Sequence, residues 1–162
     1  MDADTYPDKN VTEFITENFV PLRILFGEMP LSKKFKVKWT PTLIVLDTNG
    51  KEHYRIVGFT TAEELIPALL MGIAKTYFEL DQLDQAILNM DKIISEHHQS
   101  DQALEATYLR GVSGYKSTQD RSHLKQAYEE LRNRYQQTER AKRLLPMTKS
   151  IIRLLFSYLH KN

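Results

Sequence analysis

The sequence has no cysteine among its 162 residues. This absence excludes disulfide bonds, thiolate nucleophiles and cysteine metal sites, and it removes the usual indicator of redox compartment. The six glycines are scattered, so no glycine-rich phosphate-binding loop is present. Long apolar runs are also missing, because no stretch approaches the roughly 18 apolar residues that cross a bilayer.

The formal net charge of +1 does not indicate a particular class of charged partner. Neither nucleic acid nor an acidic substrate is indicated as a partner of the whole molecule. A composition of 41% apolar and 27% charged residues is typical of a globular protein. Residues 1–9 lack the basic and then apolar pattern of a secretory signal, so we expect a cytoplasmic protein.

The most informative stretch predicts a β-hairpin. An apolar run at residues 43–46 and an alternating run at residues 53–59 flank Asn49-Gly50, a pair that favours tight turns. Pro41 directly precedes the first run. Because the cis form costs only about 0.5–1 kcal/mol at a bond before proline, Pro41 is a candidate for a cis peptide.

The segments before the hairpin predict a helix, a strand and a second helix. Residues 11–18 read as a helix capped by Asn10, residues 19–26 as a buried strand with Pro21 near its start, and residues 29–37 as a short amphipathic helix. After the hairpin the apolar spacing becomes helical. It predicts a long helix from Ala62, a second across residues 86–94, and others at 103–115 and 124–135.

In this order and spacing, residues 19–70 resemble the thioredoxin-like superfamily. Thr40-Pro41 opens the hairpin, a turn containing glycine follows, and an amphipathic helix begins near Thr60. The resemblance implies an α/β fold, a partial thioredoxin-like domain over residues 1–70. The family's Cys-x-x-Cys helix and the strand before it have no counterpart in the sequence.

The missing strand would lie between residues 19–26 and residues 42–46 in the family's sheet. Its absence leaves a gap of roughly 9–10 Å lined by unpaired backbone groups. Three arrangements remain open: the flanking strands pair directly, another chain donates a strand, or the natural protein is longer and carries the Cys-x-x-Cys upstream of Met1.

Residues 71–145 resemble tetratricopeptide helical hairpins, with small and aromatic residues at several of the repeat's positions. These residues are Ala74, Tyr77 and Ala86 in one unit and Leu104, Gly111, Tyr115 and Ala127 in the next. Residues 146–162 begin with Pro146 and form a basic amphipathic segment. We interpret it as a helix that caps the array, in preference to a membrane-surface or groove-binding helix.

The thioredoxin-like resemblance implies that the backbone beside Pro41 binds an extended peptide by strand addition. The helical resemblance implies a concave surface to which tyrosines could contribute, and core packing is the favoured interpretation for each of them. The candidate peptide-binding residues are Trp39, Thr40, Pro41, Tyr77, Tyr108 and Tyr115.

No catalytic constellation, metal site or cofactor is indicated. His97 and His98 point about 100° apart on a helix, so they are interpreted as surface residues rather than ligands shared with Asp101. The sequence therefore predicts a non-catalytic interaction protein whose partner is another protein, a peptide or a second copy of the chain. The alternative is a fragment of a thiol–disulfide oxidoreductase.

Overall fold

The computed structural model describes residues 1–26 and 31–135. It begins as an α/β region and continues as consecutive helices. The elements are α1 (Lys9–Asn18), α2 (Leu31–Lys34), β1 (Thr42–Leu46), β2 (Glu52–Val57), α3 (Ala62–Glu79), α4 (Leu83–Glu96), α5 (Gln102–Thr118) and α6 (Ser122–Tyr135). The predicted terminal helix at residues 146–162 lies outside the described residues.

Helix α1 begins two residues earlier than the sequence suggests. Asp8, rather than Asn10, is the N-cap, and its carboxylate accepts a hydrogen bond from the backbone N–H of Val11 at 3.1 Å. This bond satisfies one of the free N–H groups of the first turn. The prediction of Asn10 as the cap is wrong because Asp8 offers the same kind of acceptor two residues earlier.

The predicted buried strand at residues 19–26 is wrong. The segment lies outside the sheet, which consists of β1 and β2 in the described part of the chain. Phe19 packs against the core, but Val20 is 97% exposed. Arg23 lies beside Asp2, with Nη2 at 2.7 Å from Oδ2, so the segment runs along the N-terminal residues and not along β1. Direct closure of the expected gap therefore does not occur within one chain.

Residues 29 and 30 of the predicted helix at residues 29–37 lie outside the described residues. The described part of that segment contains the one-turn helix α2, Leu31–Lys34. The N–H of Val37 returns to the carbonyl of Ser32 at 2.9 Å and closes the segment. Four lysines in and after this turn precede the hairpin. They are Lys33, Lys34, Lys36 and Lys38.

The predicted hairpin is present, with β1 and β2 antiparallel and Leu43 opposite Ile56. Its turn is closed by Asp47, whose carboxylate Oδ1 accepts the N–H groups of Asn49 and Lys51, each at 2.9 Å. Gly50 adopts φ +75°, the left-handed conformation that glycine takes without strain. A three-residue loop ending in a left-handed glycine is a common hairpin connection.

Helix α3 lies at the centre of the molecule and contributes to two apolar clusters. On the hairpin side, Leu65 and Leu69 pack with Val45 and Val11. On the other side, α3 packs with α4 and α5. The members of this second cluster are Leu70, Met71, Ala74, Ala86, Met90, Ile93, Ile94, Ala103 and Ala106.

Helices α3 to α6 pack consecutively, each against the next. Their connections are short, which places neighbouring helices antiparallel. A third cluster of Leu104, Leu124, Ala127 and Leu131 joins α5 to α6. At this crossing a Cβ added to Gly111 would lie 2.5 Å from the Cβ of Ala127, so glycine is required for the approach.

Candidate functional site

In the described part of the chain, neither edge of the two-stranded sheet is paired with a further strand. The N–H of Gly58 donates to the carbonyl of Pro41 at 2.9 Å, and the register is regular from there to Val45–Tyr54. Because bonded and non-bonded pairs alternate in an antiparallel ladder, the pairs formed by Thr42 and Ile44 are non-bonded. The backbone N–H and C=O groups of Thr42 and Ile44 therefore point away from β2. In the described residues no other segment pairs with them.

Large apolar side chains border the open end of this hairpin. Trp39 is 73% exposed, Val57 is 55% exposed and Phe59 is 62% exposed. Trp39 precedes β1, whereas Val57 and Phe59 end and follow β2, so the three residues come from both sides of the same strand pair. We call these three residues the apolar rim. Exposed aromatic residues beside an open strand edge are typical of peptide-binding surfaces.

Three of the six candidate residues lie at this end of the hairpin. Trp39 and Thr40 are exposed and Pro41 is half-buried, and the Thr40–Pro41 peptide bond is cis. The hydroxyl of Thr42 donates to the carbonyl of Trp39 at 2.6 Å, which fixes the approach of the chain to β1. Three of the residues predicted from the sequence thus lie directly before β1.

The rim also contains Val57 and Phe59, which were not among the candidates. The alternating run at residues 53–59 could have indicated them, because its apolar residues continue past the last buried position of the strand.

The three candidate tyrosines lie elsewhere and do not converge on the hairpin. Tyr77 is half-buried on α3 against the cluster shared with α4 and α5. Tyr108 and Tyr115 are half-buried on α5 and pack against the α5–α6 cluster. Each tyrosine contributes to helix packing, which is the structural alternative considered for it.

The outer face of β2 carries an ion pair. Arg55 contacts Glu52 through Nε at 2.7 Å and Nη2 at 2.6 Å, and Nη2 also donates to the carbonyl of Phe35 at 2.6 Å. The bonds from Arg55 lower the pKa of Glu52, against the opposing effect of burial. Because the guanidinium is already engaged, it serves to hold residue 35 against the hairpin.

A cleft of about 340 Å³ lies along the open edge of β2. It is lined by residues 54–57 and closed by the start of α3 and by Asp101 and Gln102 before and at the start of α5. The carboxylate of Glu64 in its wall accepts the N–H of Thr61 at 3.2 Å and belongs to the N-terminal cap of α3. Glu64 in the wall of the cleft thus stabilises the start of α3.

Among residues 1–26 and 31–135 no group of three histidine or acidic side chains is arranged to hold a metal ion. Within the same residues no helix has the length and apolarity needed to traverse a bilayer.

The region that contains α1, the hairpin and the first part of α3 is similar to a known protein family. Residues 1–72 match the family model of the thioredoxin-like domain. The N-terminal part of the chain is thus thioredoxin-like and cysteine-free, and the match ends within α3. No curated protein and no solved structure matches the chain.

Proposed function

We propose that the chain is a non-catalytic thioredoxin-like protein that binds an extended segment of another protein along β1. The observation that carries the proposal is the open edge at Thr42 and Ile44 beside the apolar rim. A strand added there would find unpaired N–H and C=O groups for its backbone. The rim would cover its apolar side chains, at about 25 cal/mol per Å² of apolar surface removed from water.

The thioredoxin-like region lacks the thiols that its family uses in redox exchange, since the chain has no cysteine. We therefore expect no reduction of insulin disulfides by this chain in the presence of dithiothreitol. Turnover above the rate with dithiothreitol alone would contradict the non-catalytic assignment.

The helical part supports the proposal as a second binding surface. We assign α3–α4 and α5–α6 to two tetratricopeptide-like units, because small residues lie where paired helices cross. Ala74 and Ala86 are fully buried together, and Gly111 lies against Ala127. Such an array presents its exposed residues to a partner while Tyr77 and Tyr115 stabilise its interior.

Trp39 makes the test direct, because it is the only tryptophan in the sequence and is largely exposed. The probe is a synthetic seven-residue peptide of alternating valine and threonine with terminal glutamates. Binding should shift the Trp39 emission to shorter wavelength and perturb the amide resonances of Thr42 and Ile44. A peptide of the same sequence with alternate backbone nitrogens methylated cannot pair and serves as the negative control.

Two variants separate the rim from other apolar surface. Trp39→Ala should weaken binding of the probe several-fold, as followed by the amide resonances of Thr42 and Ile44. Leu88→Ala, which removes a 51% exposed leucine from α4, should leave it unchanged. Equal binding of the methylated and unmethylated peptides would overturn strand addition.

The alternative is that these residues belong to a thiol–disulfide oxidoreductase whose Cys-x-x-Cys is encoded upstream. The thioredoxin-like character of residues 1–72 together with the open β1 edge favours it as the second candidate. An in-frame Cys-x-x-Cys before the Met1 codon would support it, whereas a stop codon directly upstream would remove it.

A further inference from the structure

His53 occupies an unusual position at the bulge of the hairpin. The register changes between Val45–Tyr54 and Leu46–Glu52, so His53 is the extra residue of β2. Its side chain is fully buried. It points toward the junction between the hairpin turn and the last turn of α3.

Both ring nitrogens of His53 lie beside carboxylate oxygens. Nδ1 is 3.0 Å from Oε2 of Glu79, and Nε2 is 3.2 Å from Oδ2 of Asp47. Ionised carboxylates only accept hydrogen bonds, and a neutral imidazole has a single N–H. Only the doubly protonated ring can donate to both neighbours at once.

The surroundings keep the two carboxyl groups ionised. The backbone N–H of Lys51 is the main cause that lowers the pKa of Asp47, and His53 adds to it. The Lys51 ammonium, with Nζ 2.9 Å from Oε2 of Glu79, is the main cause that lowers the pKa of Glu79. The charged groups facing the ring are thus Asp47 and Lys51 from the turn and Glu79 from α3.

We propose that His53 is a proton-dependent latch that holds the hairpin turn to the end of α3. With two ring protons, the imidazolium joins Asp47 to Glu79 by two charge-assisted hydrogen bonds. When the proton on Nδ1 leaves, a lone pair faces Glu79 and the bond from His53 to α3 is lost. The exposed Lys51–Glu79 ion pair then remains between the turn and α3, and exposed ion pairs contribute little.

The latch would control how firmly the hairpin is attached to the end of α3, the helix that leads into the helical region. Glu79 is the last residue of α3, and three residues separate it from Leu83, where α4 begins. Imidazole is the side chain best suited to such a contact, because it can carry one or two ring protons without a strongly shifted environment. The hairpin would be held firmly to α3 while the His53 ring carries two protons and less firmly when it carries one.

Nuclear magnetic resonance of the full chain with ¹⁵N-labelled histidine tests the latch without any substitution. The ring resonances show directly how many protons His53 carries at each pH. Amide hydrogen exchange, corrected for its intrinsic pH dependence, should accelerate roughly ten-fold in β2 and in the last turn of α3 as His53 loses its second ring proton. Exchange in β2 that stays constant while the ring resonances show that loss would overturn the proposal.

Two variants complete the test. In His53→Gln the corrected exchange rate in β2 should no longer change between pH 5 and 8, because glutamine does not titrate. His98→Gln, the matched control, should keep the pH dependence of the parent chain. If His53→Gln keeps that dependence, the latch is elsewhere and the proposal fails.

Discussion

At the scale of single residues, small side chains decide how closely the helices approach. Gly111 and Gly114 both lie on α5 and both face His123 or its neighbours on α6. The two sites differ in what a methyl group would meet. At Gly111 the obstacles are the Cβ of Ala127 and a backbone carbonyl, whereas at Gly114 the obstacle is the side chain of His123. Only the second obstacle can rotate away.

Gly111→Ala is therefore expected to destabilise the protein by about 1–2 kcal/mol. Overpacking costs about 1–3 kcal/mol, and the higher helix propensity of alanine returns up to about 1 kcal/mol. Gly114→Ala is the matched control and should change stability less. Urea unfolding followed by circular dichroism measures both. A Gly111→Ala variant as stable as the parent would mean that α5 and α6 can separate freely.

The carboxylates of the hairpin predict a loss of stability in acid. The pKa values of Asp47 and Glu79 are lowered in the folded chain. Each group therefore stabilises the fold above its unfolded pKa of about 4, and this contribution is lost as the pH falls through the lower folded value. The urea midpoint should fall between pH 5 and pH 2. Asp47→Asn should flatten this dependence, whereas replacement of the exposed Asp84 by asparagine should retain it.

At the scale of elements, α3 packs against both the hairpin and the neighbouring helices. Leu65 and Leu69 face the hairpin and α1, while Leu70, Met71 and Ala74 face α4 and α5. The boundary that the sequence suggested at residue 70 falls inside this helix. Because one helix contributes to both clusters, α3 joins the thioredoxin-like region to the helical region.

Leu65→Ala should consequently destabilise the helices as well as the hairpin. Leu65 is fully buried, and a leucine truncated in a core costs about 2–5 kcal/mol. We expect Trp39 fluorescence and helical circular dichroism to report one common unfolding transition, shifted to lower urea in the variant. Leu88→Ala on exposed α4 surface should move neither signal. Separate transitions for the two probes would show that the two regions unfold independently.

At the scale of the whole molecule, the sequence predicted local elements better than their pairing. The hairpin and the helices α3 to α6 follow from local periodicity and turn residues. Residues 19–26 have the apolar content of a strand, but strand formation depends on a neighbour that lies far away in sequence. The contact of His53 with Glu79 was equally inaccessible, since 26 positions separate them and no local pattern joins them.

An open sheet edge also predicts association of the chain with itself. We expect a dimer at micromolar concentration, formed by pairing of β1 edges between two copies. Light scattering measures the mass, and the unmethylated probe peptide should convert the dimer to monomer because it competes for the same edge. A dimer that persists with excess bound peptide would place the contact on another surface.

The four lysines in and after α2 decide which of these partners the edge prefers. They place positive charge just ahead of Trp39, which attracts a strand bearing acidic residues. Dissolved ions weaken this attraction, and at about 1 M salt its range falls to roughly 3 Å. The ionic strength of the surroundings would thus set the balance between self-recognition and capture of a foreign strand.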